Sequence, residues 1–168
     1  ADGPAQRYPG RIDEPQAVRD FLDPRLTQLR DPFELPDMPV AVEAIMAAIA
    51  AKHKITVYGD YDVDGMTGTS ILWQCLKHLG ADVNYYVPNR IEEGYGLNDE
   101  ALRSLAQQGT KLVLTVDCGI ASLHEAQTAR ELGLTLIVTD HHEPAATPPE
   151  ALAIVHPRLH ERFYPFTG

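Results

Sequence analysis

The hydrophobic pattern changes character near residue 54. Upstream, Pro15 to Leu22 carries Val18, Phe21 and Leu22 at helical rather than strand spacing. Pro24, Pro32, Pro36 and Pro39 then punctuate an irregular connection. Val40 to Ala51 is alanine-rich, with Val42, Ile45, Met46 and Ile49 forming the apolar stripe of an amphipathic helix. Residues 1–53 therefore read as a helical lead-in.

From Lys54 onward, strands and helices alternate. The β-branched and aromatic run Ile55 to Tyr58 predicts a first strand, and Thr67 to Leu79 a helix closed by Gly80. Val83 to Val87 is a second strand, and Asp99 to Gln108 a second helix of this region, with Gly109 after it. Leu112 to Val116, Ala121 to Leu132 and Leu134 to Thr139 continue the alternation as strand, helix and strand, and Ala153 to Val155 is short enough for a fifth strand. Strands joined through helices of this length make βαβ units. The expectation is an α/β fold: a doubly wound, mainly parallel sheet of about five strands with helices on both faces, one compact unit over 54–168.

At 168 residues, with 44% hydrophobic and 23% charged positions, the composition is that of an ordinary soluble domain. No apolar run approaches the roughly 18 residues a membrane span needs, and Ala1 to Gly10 is too polar for a signal peptide. Cys75 and Cys118 form no C-x-x-C, so neither a disulfide framework nor a zinc knuckle is expected, and a reducing cytoplasm is. The formal charge of -10 argues against a generic nucleic-acid binder, which presents a basic face. That objection weakens if many carboxylates ligate cations, which reverse the local field, or if a basic domain lies elsewhere in the protein.

The unusual residues fall at strand ends. Gly59-Asp60-Tyr61-Asp62-Val63-Asp64-Gly65 follows the first strand and Pro88-Asn89-Arg90 the second; Asp117-Cys118-Gly119 follows the third and Asp140-His141-His142-Glu143 the fourth. In a parallel sheet all these ends share one edge, where ligands bind. Three aspartates within five residues repel one another unless a cation sits between them, the alternative being a solvated acidic turn that caps the next helix. The string also opens like an EF-hand loop, but Ile71 stands where the bidentate glutamate belongs, and a strand precedes it. Asp117 reads equally as a helix cap or as a bridging ligand. Adjacent histidines on an extended chain point to opposite sides, so His141 and His142 divide into one metal ligand and one substrate-facing group. Arg90 suits a phosphate oxygen and equally a salt bridge to Glu92, Glu93 or one of the acidic cluster. Tyr95, between two glycines, could stack a base. A carboxylate-rich set with histidine suits manganese or magnesium better than zinc, and two such ions would serve in-line phosphoryl displacement. No G-x-S-x-G elbow or P-loop competes.

Four strings, G-D-Y-D-V-D-G, P-N-R-I-E-E-G-Y-G-L, T-V-D-C-G-I and V-T-D-H-H-E-P, occur in this order. With Asp31-Pro32-Phe33 and Ala153-Ile154-Val155-His156-Pro157, they resemble the RecJ-type exonucleases of the DHH phosphoesterase family over nearly the whole chain. The resemblance implies metal-dependent hydrolysis of single-stranded DNA from the 5′ end, in recombination and repair, with two Mn2+ or Mg2+ ions and possible repair-protein partners that the sequence does not name. It implies Asp62, Asp64, Asp117 and His141 as metal ligands, with Asp117 the bridge. Asp60 and Asp140 support that shell and the catalysis, His142 contacts the scissile phosphate, and Asn89 and Arg90 hold the nucleic-acid backbone. His156 stands where the family leads one to expect asparagine, which leaves its role open. The family's chains continue into another metal-binding aspartate and a second, nucleic-acid-gripping domain, so the chain reads as an amino-terminal half. Two other readings compete: a phosphodiesterase for short oligonucleotides, cyclic dinucleotides or pyrophosphate, and a non-catalytic module of the same fold.

Overall fold

A computed structural model describes residues 15–23, 25–89 and 94–159. The elements are α1 (Pro15–Leu22), α2 (Met38–Ala50), β1 (Lys54–Gly59), α3 (Val63–His78), β2 (Val83–Tyr86), α4 (Asp99–Gln107), β3 (Thr110–Val116), α5 (Leu123–Glu131), β4 (Thr135–Thr139) and β5 (Ala153–Val155), with short 3-10 turns at Leu26–Gln28 and Pro32–Glu34. The five strands form one sheet in the order β2-β1-β3-β4-β5, and every pairing is parallel.

Strand periodicity divides the core into two layers. Ile55 and Val57 of β1, Leu112, Leu114 and Val116 of β3, Ile137 of β4, and Ala153 and Val155 of β5 face Ala41 and Ala48 of α2 and Leu76 of α3. The alternate residues Tyr58, Val113, Leu136, Val138 and Ile154 face Leu102 and Leu105 of α4 and Ala126 and Ala129 of α5. Ile55, Val57, Val113 and Ile137 are fully buried, and each such side chain contributes about 1.5–3 kcal/mol. The doubly wound α/β architecture expected from the alternation is the one observed.

Two helices start earlier than the pattern-based expectation. α2 begins at Met38, ahead of Pro39, because a proline in the first helical turn forfeits no intrahelical bond. Its preceding residue Asp37 accepts from the Ile154 amide at 3.1 Å, tying α2 to β5. α3 begins at Val63 rather than Thr67, so the end of the acidic string forms the helix's first turn. Asp62 is the N-cap, accepting from the Gly65 amide at 2.9 Å, and Asp64 follows in the first turn, where the helix dipole favours negative charge.

Glycines let this turn approach the sheet. A Cβ on Gly65 would lie 2.6 Å from the Cβ, N and O of Asp60, and one on Gly68 would lie 2.7 Å from Val116 Cγ1. Backbone cannot yield as a side chain can. Gly65→Ala should therefore destabilise by about 1–3 kcal/mol or more, and by more than Gly68→Ala. Urea unfolding of the two variants checks this; equal midpoints would refute the account.

Candidate metal centre

The strand order reverses between β1 and β3, and in open parallel sheets the crevice at such a reversal receives ligands. The loops leaving β1 and β3 carry acids there. Asp60 is 1% exposed, its Oδ1 accepting from the next amide, that of Tyr61, at 2.7 Å. Asp117 adopts a left-handed φ of 62°, which aspartate tolerates better than most residues. This turn is anchored on β4: the Asp117 amide donates to Thr139 O at 3.0 Å. Thr139 returns two bonds to Thr115, its hydroxyl to Thr115 O at 2.6 Å and its amide to Thr115 Oγ1 at 3.2 Å. The Thr115 hydroxyl in turn donates to Cys118 O at 2.7 Å.

Carboxylate oxygens of Asp60, Asp62 and Asp117 lie within 4.8 Å of one another. Burial, followed by repulsion from Asp62, pushes the Asp117 pKa above its ordinary value. Burial does the same to Asp60, ahead of its amide bond from Tyr61, which opposes the rise, and of the neighbouring Asp62 charge, which adds to it. Both acids thus resist carrying their charge in the metal-free protein, a demand that a bound cation removes. Oxygen donors suit manganese and magnesium, and an adjacent imidazole favours manganese of the two.

The histidines join from the β4 end. His141 Nε2 lies 3.0 Å from Asp117 Oδ1, and His142 Nδ1 3.9 Å from the same oxygen. Asp117, His141 and His142 make a second group of donors within 4.8 Å. Both rings face Asp117, contrary to the expectation that they point to opposite sides. β4 ends at Thr139, and beyond it the buried Asp140 carboxylate gathers the backbone into a turn. Asp140 Oδ1 accepts from the His141 amide at 2.7 Å, the His142 amide at 3.1 Å and His142 Nδ1 at 2.8 Å. Its Oδ2 accepts from the Ile120 amide at 2.9 Å. Burial alone would raise the Asp140 pKa, but these four donors outweigh it and hold the carboxyl below its ordinary value. For His142 burial acts downward, and the bond and charge of Asp140, aided by Asp117 and Asp60, reverse it into a raised pKa. With Nδ1 committed to Asp140, Nε2 is the nitrogen left for a ligand.

A model of the DHH family, described as its N-terminal domain, matches residues 54–162. The chain belongs to the DHH family. It is 47% identical over 155 residues to the single-stranded-DNA-specific exonuclease RecJ of Bacillus subtilis, covering 92% of this chain and 20% of that protein. It is 43% identical over 141 residues to RecJ of Thermus thermophilus, covering 84% of this chain and 20% of that one. The chain thus spans about a fifth of the length of these curated relatives. Among solved structures, an exonuclease RecJ bound to manganese superposes with a TM-score of 0.72 at 41% identity, over 80% of this chain and 35% of that one. RecJ of Thermus thermophilus in complex with Mn2+ superposes with a TM-score of 0.67 at 36% identity, over 87% of this chain and 22% of that one.

Within this DHH domain, Asp60, Asp62, Asp117, Asp140, His141 and His142 converge as their strand-end positions implied. Asp64 is exposed in the first turn of α3 and belongs to neither donor group. Residues two apart at a helix start do not share a face, which separates it from Asp62. Asn89 is exposed, three residues beyond β2. Arg90 lies outside the described residues. Tyr95 does more than offer a ring: its hydroxyl lies 3.1 Å from His142 Nδ1 and donates to Asp117 O at 3.3 Å. Its ring meets those of Tyr61 and His142 edge-on. The only sequence signal for this was its place between Gly94 and Gly96, both at positive φ. Among the described residues no helix is long and apolar enough to cross a membrane.

The lowered pKa of Asp140 fixes the sign of a pH effect. Its stabilisation is present above the unfolded carboxyl value, ordinarily 3.8, and is lost as pH falls through the lower folded value. Asp140→Asn should cost about 3–5 kcal/mol at neutral pH, as for one partner removed from a buried charged network. The difference from the parent should shrink as pH falls below that carboxyl value. Denaturation across this range checks it; a pH-independent difference would show that the charge of Asp140 does not matter.

Proposed function

We propose that this domain hydrolyses phosphodiester bonds with bound divalent metal, as the catalytic part of a 5′ to 3′ exonuclease acting on single-stranded DNA in recombination and repair. The observation that carries this reading is the meeting of Asp60, Asp62 and Asp117 within 4.8 Å at the sheet's reversal point, beside His141 and His142. Manganese-bound relatives of the same fold support the choice of metal; magnesium has the same preference for oxygen. Asp62, Asp117 and His141 are the ligands in this reading, with Asp117 between the two donor groups, Asp60 buried beneath and Asp64 at the exposed rim. Two divalent ions bound there would supply the positive charge that activates water and neutralises charge gathering on the phosphate oxygens.

The chain's own residues do the rest. Asp140 holds the His142 ring through Nδ1, presenting Nε2 toward substrate with a raised affinity for a proton. A protonated imidazole in this place donates to a phosphate oxygen as charge develops on it. Tyr95 limits the ring's rotation from the other side. Asn89 and Arg90 take the nucleic-acid backbone. The acidic balance of -10 makes counterion-releasing contacts with long DNA few, so this domain alone binds a long strand poorly. Both described cysteines are free, in keeping with a cytoplasmic protein.

The test is metal-dependent release of nucleotides from a 5′-labelled single-stranded oligonucleotide, paired with calorimetric titration of manganese. Asp117→Asn keeps a residue that tolerates positive φ while weakening the central ligand, and should lose both metal binding and turnover. His142→Ala should bind manganese nearly as the parent does and lose roughly 10²–10⁴ in rate. Equal loss of metal from both variants would refute the division of roles. A parent that binds manganese and cleaves a cyclic dinucleotide but no oligonucleotide would move the substrate to the small-molecule class.

A further inference from the structure

We infer that His156 is a positioning residue for His142: a buried imidazole in a single neutral tautomer, whose Nε2–H fixes the peptide on the carboxyl side of the substrate-facing histidine. The inference rests on the reading of His142 given above. His156 lies one residue beyond β5 and is fully buried, at the position to which sequence alone assigned no role.

Both of its ring nitrogens are engaged. The Arg158 amide donates to His156 Nδ1 at 3.1 Å, so Nδ1 is the acceptor and carries no proton. Nε2 therefore carries the hydrogen, and it points at the His142 carbonyl oxygen, 2.8 Å away. No other tautomer satisfies both contacts. Nearby, the Arg158 guanidinium donates to His141 O at 2.5 Å and to Glu143 at 2.8 Å. The carbonyls of the two consecutive histidines are thus each held from the segment after β5, whereas their amides are held by Asp140.

The division of labour follows from geometry. The direction of a side chain from its Cα is set by the two peptide planes that flank it. Asp140 holds the plane before His142 through its amide, and the ring through Nδ1. His156 holds the plane after it. With both planes fixed, the ring keeps one setting relative to Asp117 while substrate comes and goes. Removing His156 leaves the His142 carbonyl and the Arg158 amide without these partners and frees one of the two planes. His141 keeps its bond from Arg158, so its place beside Asp117 changes less.

Two substitutions separate the halves of the clamp. His156→Gln carries an amide donor as far from the backbone as Nε2 and can still reach the His142 carbonyl. His156→Asn is shorter: its oxygen can accept from the Arg158 amide two residues on, the local turn that asparagine favours, but its nitrogen falls short of His142. If His156 positions His142, the glutamine variant should keep kcat within about threefold of the parent, and the asparagine variant should lose roughly tenfold to hundredfold. In both, KM and manganese affinity should stay within about threefold. If His156 only shapes its own turn, the order reverses, with asparagine active and glutamine impaired, and the proposal is overturned.

A second readout does not depend on turnover. In the metal-free protein labelled with 15N at histidine, the His142 Nδ1 proton bonded to Asp140 should be protected from exchange with water in the parent and in His156→Gln. It should exchange faster in His156→Asn. His156 itself should show the pattern of a neutral ring protonated at Nε2. Equal protection in both variants, or a His156 ring protonated at Nδ1, would overturn the clamp even if the chain cleaved DNA. Should the parent release no nucleotide, the functional reading fails, and the exchange result alone decides the clamp.

Discussion

Everything at the carboxyl edge of the sheet follows from confining like charges in a small space. Asp60, Asp62 and Asp117 stand closer together than uncompensated carboxylates favour, and burial raises the cost of their ionisation. The rest of the fold is what makes them stay. β1 and β3 pair along their length and deliver their ends side by side. α3 then turns its Gly65 amide toward Asp62, an anchor that would be lost if the acid swung outward. Gly65 removes the side chain that would otherwise keep this turn away from Asp60.

Asp140 solves the opposite problem. Its charge is the one the protein stabilises by itself, through four donors converging on two oxygens. The chain therefore presents two kinds of carboxylate a few residues from strand ends. One kind is satisfied and serves as scaffold; the other is strained and available for a cation. The difference arises from which backbone amides point at each, and residue type alone does not carry it.

The architecture was legible because parallel strands buried on both faces are nearly continuous apolar runs. Ile55 to Tyr58 and Leu112 to Val116 stand out on that ground alone. The meeting of the clusters that follow β1, β3 and β4 was legible too, since parallel strands can only end together. The start of α3 was hidden because Asp and Gly have poor helix propensity in a helix interior, whereas Asp62 at the cap and Asp64 in the first turn are favourable. The orientation of the two histidines was misread by extending strand alternation past Thr139, where Asp140 already bends the chain. The contacts of Tyr95 and His156 with His142 span 47 and 14 residues. No periodicity encodes such contacts. They depend on where separate loops come to rest in the folded chain.

The parallel topology has a kinetic corollary. Asp60 and Asp117 are brought together only by pairing β1 with β3, strands separated in the chain by the whole of α3, β2 and α4. Such non-local closures come late in folding, because chain entropy must be lost before any contact compensates it. A partly assembled sheet therefore has acids but no site, and a cation has nothing specific to hold until the native pairing exists. Metal bound at this edge acts on the finished protein only, raising its resistance to unfolding with the logarithm of the free metal concentration once that exceeds the dissociation constant. The ion then serves as a latch on a completed sheet, and the availability of metal sets how long the native domain persists once made.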